Sequence, residues 1–107
     1  MGTTKTEGFS FEINQQAELL KAIAHPARLA ILKHLAQVKS CFCGDLVQII
    51  PLAQPTISLH LKALRSAGII KGSINGSAGC FCINTETVEQ LIQLLQHLNL
   101  HSSESCC

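Results

Sequence analysis

Residues Asp45 to Gly68 read DLVQIIPLAQPTISLHLKALRSAG, and this stretch decides the fold. Asp45 stands at the start of a short apolar helical segment running to about Ile50, where a carboxylate favours the positive end of a helix. Pro51-Leu52-Ala53 supplies a turn. A longer helix is then predicted from Gln54 to Ala67, ended by Gly68 in the left-handed conformation that closes helices. At 100° per residue, Ile57, Leu61 and Leu64 form one buried stripe, and Pro55, Leu59 and Lys62 lie opposite, flanked by Thr56 and Ser58. A short helix, a tight turn and a second helix with a small, polar, cationic outer face have the form of a helix-turn-helix, whose second helix enters the major groove of DNA.

Working outward, Ile13, Ala17, Leu20 and Ile23 recur at helical spacing and predict a first helix from Glu12 to about Ala24. Pro26 disfavours helical backbone at His25 and suits the first turn of a new helix. That helix is expected over Pro26 to Gln37, burying Leu29, Ile31, Leu32 and Leu35. Val38 to Phe42 reads as a brief strand. Downstream of the central stretch, Ile69 to Ile74 and Cys80 to Asn84 read as two strands joined by a hairpin connection. Thr85 is placed to cap a last helix reaching about Leu100. The fold class is therefore mainly α with a small β-hairpin (α+β). The domain spans 12–100, between a loose arm at 1–11 and a cysteine-bearing tail at 101–107.

The 107 residues are enough for one domain with a modest core, yet 47% of them are hydrophobic. Oligomerisation is the natural outlet for that surplus. Val88, Leu91, Ile92, Leu94, Leu95 and Leu98 are too many for one narrow stripe, and with the first helix they give one apolar surface for the core and one for a partner. No run of about 20 apolar residues is available to span a membrane, and Met1 to Ser10 has no secretory-signal character, so the expected location is the cytoplasm. The net charge is only +1, but its distribution is uneven. No acidic residue lies between Asp45 and Glu86, whereas Lys62, Arg65 and Lys71 do, which leaves the middle of the chain locally positive, as a phosphate-facing surface requires.

Six cysteines without a secretion signal point to reduced thiols and to metal or redox chemistry. Four form two doublets, Cys41-Phe42-Cys43 and Cys80-Phe81-Cys82. In a winged helix, the strand before the helix-turn-helix pairs with the second wing strand, about 4.8 Å away. Cys80 and Cys82 share a strand face, and Phe81 points the other way. Cys41, Cys43, Cys80 and Cys82 are thereby expected to converge into a site of three or four thiolates, three suiting trivalent arsenic and four a tetrahedral divalent ion. Packing as small hydrophobes is the alternative fate of such thiols. Cys106 and Cys107, on the tail, are a second-ranked source of ligands because closing a tail costs ordering entropy. The thiols lack a base partner in sequence, and neither a phosphate loop nor an acid/base carboxylate pair is present, which argues against an enzyme.

The segments His25-Pro26-Ala27-Arg28-Leu29, Gln54 to Lys62 and Leu64 to Ile70, with the hairpin that follows, resemble the arsenic-repressor (ArsR/SmtB) family of winged helix-turn-helix regulators. The likeness runs from about Ile13 to Leu98. It implies a homodimer through the first and last helices, bound to double-stranded operator DNA through Gln54, Pro55, Thr56, Ser58, Leu59, Lys62 and Arg65. It also implies release by an inducer, arsenite in first place, with cadmium, zinc, lead or antimonite as alternatives. The chain departs from the family in having Leu59 at an often polar or basic position and no arginine near the wing tip. The Cys41–Cys43 doublet stands where metal-sensing members carry theirs, without the third cysteine that follows closely in the arsenic-responsive pattern. His97 and His101 have the spacing of the zinc-sensing branch, but Val88 and Gln90 occupy the positions of its upstream ligands. His60 is expected to be a hydrogen-bonded residue packed between helices, and His25 to act as a hinge. The expected function is a repressor released by a soft metal, with a thiol-redox or reactive-sulfur sensor and an interaction module holding a structural zinc as alternatives.

Overall fold

The computed structural model describes residues 7–38, 42–75 and 78–100. Helix α1 (Phe11–Ile23) starts where the Ser10 hydroxyl accepts the Ile13 N–H at 3.1 Å, the usual side-chain satisfaction of a first-turn donor. Extended backbone at His25 then reorients the chain into α2 (Pro26–Gln37), with Pro26 in its first turn. The His25 Nδ1 accepts the Ala27 N–H at 3.0 Å, so the expected hinge residue is also the cap of α2.

Strand β1 is described at Phe42–Cys43; residues 39–41 of the strand expected from Val38 lie outside the described residues. The first helix of the helix-turn-helix is reduced to one 3₁₀ turn, Leu46–Gln48, capped by Asp45 Oδ1 on the Val47 N–H at 2.9 Å. A cap so close to Pro51 leaves too few residues for an α-helical ladder. Helix α3 (Gln54–Ser66) begins where predicted and ends one residue earlier, with Ala67 as its cap. It closes with Ile69 N–H on Leu64 O at 3.0 Å and Gly68 N–H on Arg65 O at 2.9 Å. This paired pattern needs the left-handed backbone at Gly68, φ 82°.

Strands β2 (Ile70–Asn75) and β3 (Ala78–Ile83) make the wing, and β1 joins β3 on its other edge to give the antiparallel order β1-β3-β2. Helix α4 (Thr85–Leu98) follows. The expected cap at Thr85 is not the one observed. Asn84 occupies the cap position, and its side-chain amide instead donates to Gly68 O at 3.0 Å while its N–H donates to Ile69 O at 2.8 Å. The start of α4 is thus fastened to the end of α3.

The core collects Ile57, Leu61 and Leu64 of α3 against Ile31, Leu35, Leu46, Ile69, Ile70 and Phe81. Each fully buried aliphatic or aromatic side chain there stabilises the fold by about 1.5–3 kcal/mol relative to exposure. The core face of α1 is Leu19, and that of α4 is Leu91. Ile13 and Leu20 on α1, and Ile92, Leu95 and Leu98 on α4, are exposed instead. Leu29, expected in the core of α2, also lies outside it, and Ala27 is buried in its place.

Candidate nucleic-acid interface and cysteine strands

Helix α3 separates its two faces sharply. Ile57, Leu61 and Leu64 are fully buried, whereas Leu59 is 67% exposed. Gln54, Pro55, Lys62 and Arg65 are exposed, and Thr56 and Ser58 are half-buried along the flanks. The residues singled out for DNA therefore form one continuous outer surface. Its length is about 20 Å at 1.5 Å per residue, matched to a segment of major groove. Its donors suit phosphate and base edges: hydroxyls at Thr56 and Ser58, an amide at Gln54, and cations at Lys62 and Arg65.

The inner side of α3 carries a polar contact whose partner sequence reasoning did not identify. His60 is buried at 9% exposure. Arg28, on α2, donates its Nε–H to His60 Nδ1 at 3.1 Å and its Nη1–H to Ala22 O at 2.9 Å. The His25 ring lies 4.4 Å from the His60 ring, tilted by 51°. Burial, then the neighbouring His25, then the Arg28 cation hold the His60 pKa below its ordinary value of 6.5. The hydrogen-bonded packing role expected of His60 is present; its partner Arg28 lies 32 residues away and cannot be read from local spacing.

In the sheet, β1 and β3 pair in the register Phe42↔Phe81 and Cys43↔Cys80. The expected partnership of the two cysteine-bearing segments is therefore present. The Gly44 N–H bonds Gly79 O at 3.2 Å, which makes Gly44 and Gly79 a hydrogen-bonded pair. By alternation, Cys43↔Cys80 is a non-hydrogen-bonded pair, the kind in which opposed Cα atoms approach to about 4.5 Å. Phe81 is fully buried. Its ring lies 5.8 Å from that of Phe42, which meets His34 edge-on at 4.9 Å. The two phenylalanines thus mark the core face of the sheet, and alternation leaves Cys80 exposed and Cys82 half-buried on the other. Cys80 is disulfide-bonded, and Cys82 keeps its thiol. Cys41 lies outside the described residues, as do Cys106, Cys107 and His101. Among the described residues, no three histidine, cysteine or acidic side chains converge on a metal-sized site.

Residues 25–71 match the model of the bacterial regulatory proteins of the arsR family. The chain is 38% identical to the transcriptional repressor PagR of Bacillus anthracis over 85% of its own length and 89% of that protein. It is 32% identical to an arsenical resistance operon repressor of Bacillus subtilis, covering 100% of this chain and 90% of the relative. In three dimensions it resembles the transcriptional repressor BigR of Xylella fastidiosa with a TM-score of 0.59 and 32% identity, over 81% of this chain and 88% of that one.

Proposed function

The chain belongs to the arsR family of bacterial regulatory proteins, DNA-binding transcriptional repressors, and on that premise we propose that it acts as a homodimer whose two α3 helices read an operator and whose cysteine strands govern release. The single observation that carries the reading is the two-faced character of α3: a sealed apolar stripe on one side and, on the other, exposed Gln54, Pro55, Leu59, Lys62 and Arg65 flanked by half-buried Thr56 and Ser58. Thr56 and Ser58 serve as contacts to bases or phosphates, Leu59 as an apolar contact to a thymine methyl, and Lys62 and Arg65 as phosphate neutralisers. The dimer is supported by the apolar residues left uncovered on α1 and α4, among them Leu95 at 55% and Leu98 at 70% exposure. Covering those faces with a second copy spaces two reading helices for half-sites about 34 Å apart.

The inducer reading is supported by the opposition of Cys43 and Cys80 across two strands. Thiolates from Cys41, Cys43, Cys80 and Cys82 form a soft donor set suited to arsenite, and to antimonite, cadmium, lead or zinc. A guest gripped by β1 and β3 at once alters the sheet edge that precedes the reading unit. The equilibrium then moves away from the arrangement with correct half-site spacing to the extent that the guest prefers the other one. A second reading has its own observation: Cys80 is disulfide-bonded. In that version two thiols pass two electrons and two protons to an oxidant or reactive sulfur species, and disulfide formation is the signal.

The test is operator release followed by fluorescence anisotropy at fixed salt. Arsenite releasing the wild type under strict reduction, but not Cys43→Ser or Cys80→Ser, supports the metalloid inducer. Release by oxidant alone, reversed by a dithiol, supports the redox reading. Release unaffected by any of the cysteine substitutions refutes both.

A further inference from the structure

The polar contact behind α3 links the reading helix to the α1–α2 junction, and its hydrogen bonds fix the protonation it needs. Arg28 Nε is always a donor, so His60 Nδ1 must present a lone pair. The same holds at His25, whose Nδ1 accepts the Ala27 N–H. Both imidazoles are therefore neutral in this arrangement, with the guanidinium beside them as the sole cation of the trio. A proton on His60 Nδ1 removes the acceptor and sets an imidazolium against Arg28 in a buried position, where like charges are weakly screened.

We propose that Arg28 is a positioning residue for operator recognition, holding α3 against α2 through a neutral His60, and that acid weakens the grip on DNA by breaking this contact. The inference rests on α3 being the reading helix. His60 lies between Leu59 of the outward face and Leu61 of the core face, so a change in how its ring seats rotates the outer row relative to the rest of the protomer. Small rotations matter because two such rows, one per protomer, must meet the same duplex in phase.

The groups around His60 set the sign. His25 and Arg28 face it from the α1–α2 junction and from α2. Glu18 and Lys21 of α1 line the groove that His25 and Arg28 share. Lys62 and Arg65 stand on the outer face of α3, roughly 140–160° around the helix from it, and Lys71 on β2 and Asp45 before the 3₁₀ turn are exposed on elements packed against that helix. The nearest two groups are basic, so acid builds repulsion where the contact had been. This agrees with a His60 that resists protonation.

The experiment uses the full chain and a duplex of about 30 base pairs obtained by in vitro selection at about pH 8, long enough for two half-sites. Affinity is measured at constant ionic strength between about pH 8 and pH 5.5. The wild type is expected to lose at least about tenfold, the scale of one hydrogen bond to a charged donor. His60→Asn, whose Oδ1 replaces Nδ1 as a non-titrating acceptor, keeps the affinity of about pH 8 and loses most of the pH slope. Arg28→Met starts at least about tenfold weaker and is also flatter. A His60→Asn profile that parallels the wild type, or an Arg28→Met protein that binds as tightly as the wild type, overturns the proposal. Nitrogen-15 spectra of the wild type give an answer independent of any variant: a proton on His60 Nδ1 at about pH 8 is incompatible with the contact. If Thr56→Ala and Lys62→Ala leave binding intact, it is the assignment of α3 as reader that fails. If those variants weaken binding and only the pH profile disagrees, the assignment stands and the Arg28–His60 role falls.

Discussion

Replacing Gly72 with alanine should unfold the wing at a cost that can be read from the backbone. Gly72 lies in the middle of β2 with φ 127°, opposite Phe81 of β3. A Cβ there collides with the Cys80 carbonyl oxygen and meets the Phe81 Cα at 2.7 Å. Both obstacles are main chain, so no rotamer change relieves them; β2 must move from β3 or the residue must leave its conformation. Holding a non-glycine residue in a sparsely populated backbone region costs about 1–3 kcal/mol, and forcing an extra methyl into packed structure about 1–3 kcal/mol more. The smaller values together give about 2 kcal/mol. For a domain of about 100 residues that lowers Tm by roughly 8–16 °C. The assay is thermal and urea unfolding followed by circular dichroism at one fixed protomer concentration, since dimerisation would add a concentration-dependent term. A loss under about 0.5 kcal/mol, the size of an ordinary surface substitution, would show that β2 accommodates a side chain and that the close approach of the two strands is not as described.

Three further outcomes are expected. Lys62→Ala should weaken binding across operator sequences alike and lower the slope of log affinity against log salt by about 1, measured by anisotropy titrations at several salt concentrations; a changed base preference at unchanged slope would contradict a phosphate role. Leu95→Glu, on the uncovered face of α4, should yield monomers in sedimentation equilibrium with helical content retained, because the side chain is outside the protomer core. Stability should also depend on pH through His60. Its folded pKa is depressed, so the unfolded chain takes up the proton first, and the stabilisation present above the ordinary value of 6.5 is lost as pH falls through the folded pKa. Urea midpoints between about pH 8 and pH 5 should decline accordingly, and His60→Asn should flatten that decline.

Much of this protein is legible in the order of its residues. The stripe Ile57, Leu61, Leu64, the outer row from Gln54 to Arg65, the break at His25-Pro26 and the close at Gly68 are set by interactions within a few positions. Helical periodicity and backbone preferences act at that range, so their consequences can be read locally. The short helix was harder. One 3₁₀ turn at Leu46–Gln48 carries too little periodicity to fix its own limits. The last-helix cap was misplaced because Asn84 spends its amide on Gly68, an option visible only once α3 and α4 meet.

Which residues face one another across long separations was decided by the tertiary structure alone. Composition announced two cysteine doublets and a winged-helix outline placed their strands side by side, but the register that sets Cys43 against Cys80 depends on how the chain returns from the wing. The same return leaves no room for a side chain at Gly72, and the crossing of α2 with α3 brings Arg28 to His60. Local preferences shape each segment independently of its neighbours in space. The pairing of distant segments is fixed by collective burial of Ile31, Ile57, Leu61 and Phe81 in one core, where close packing admits few relative positions.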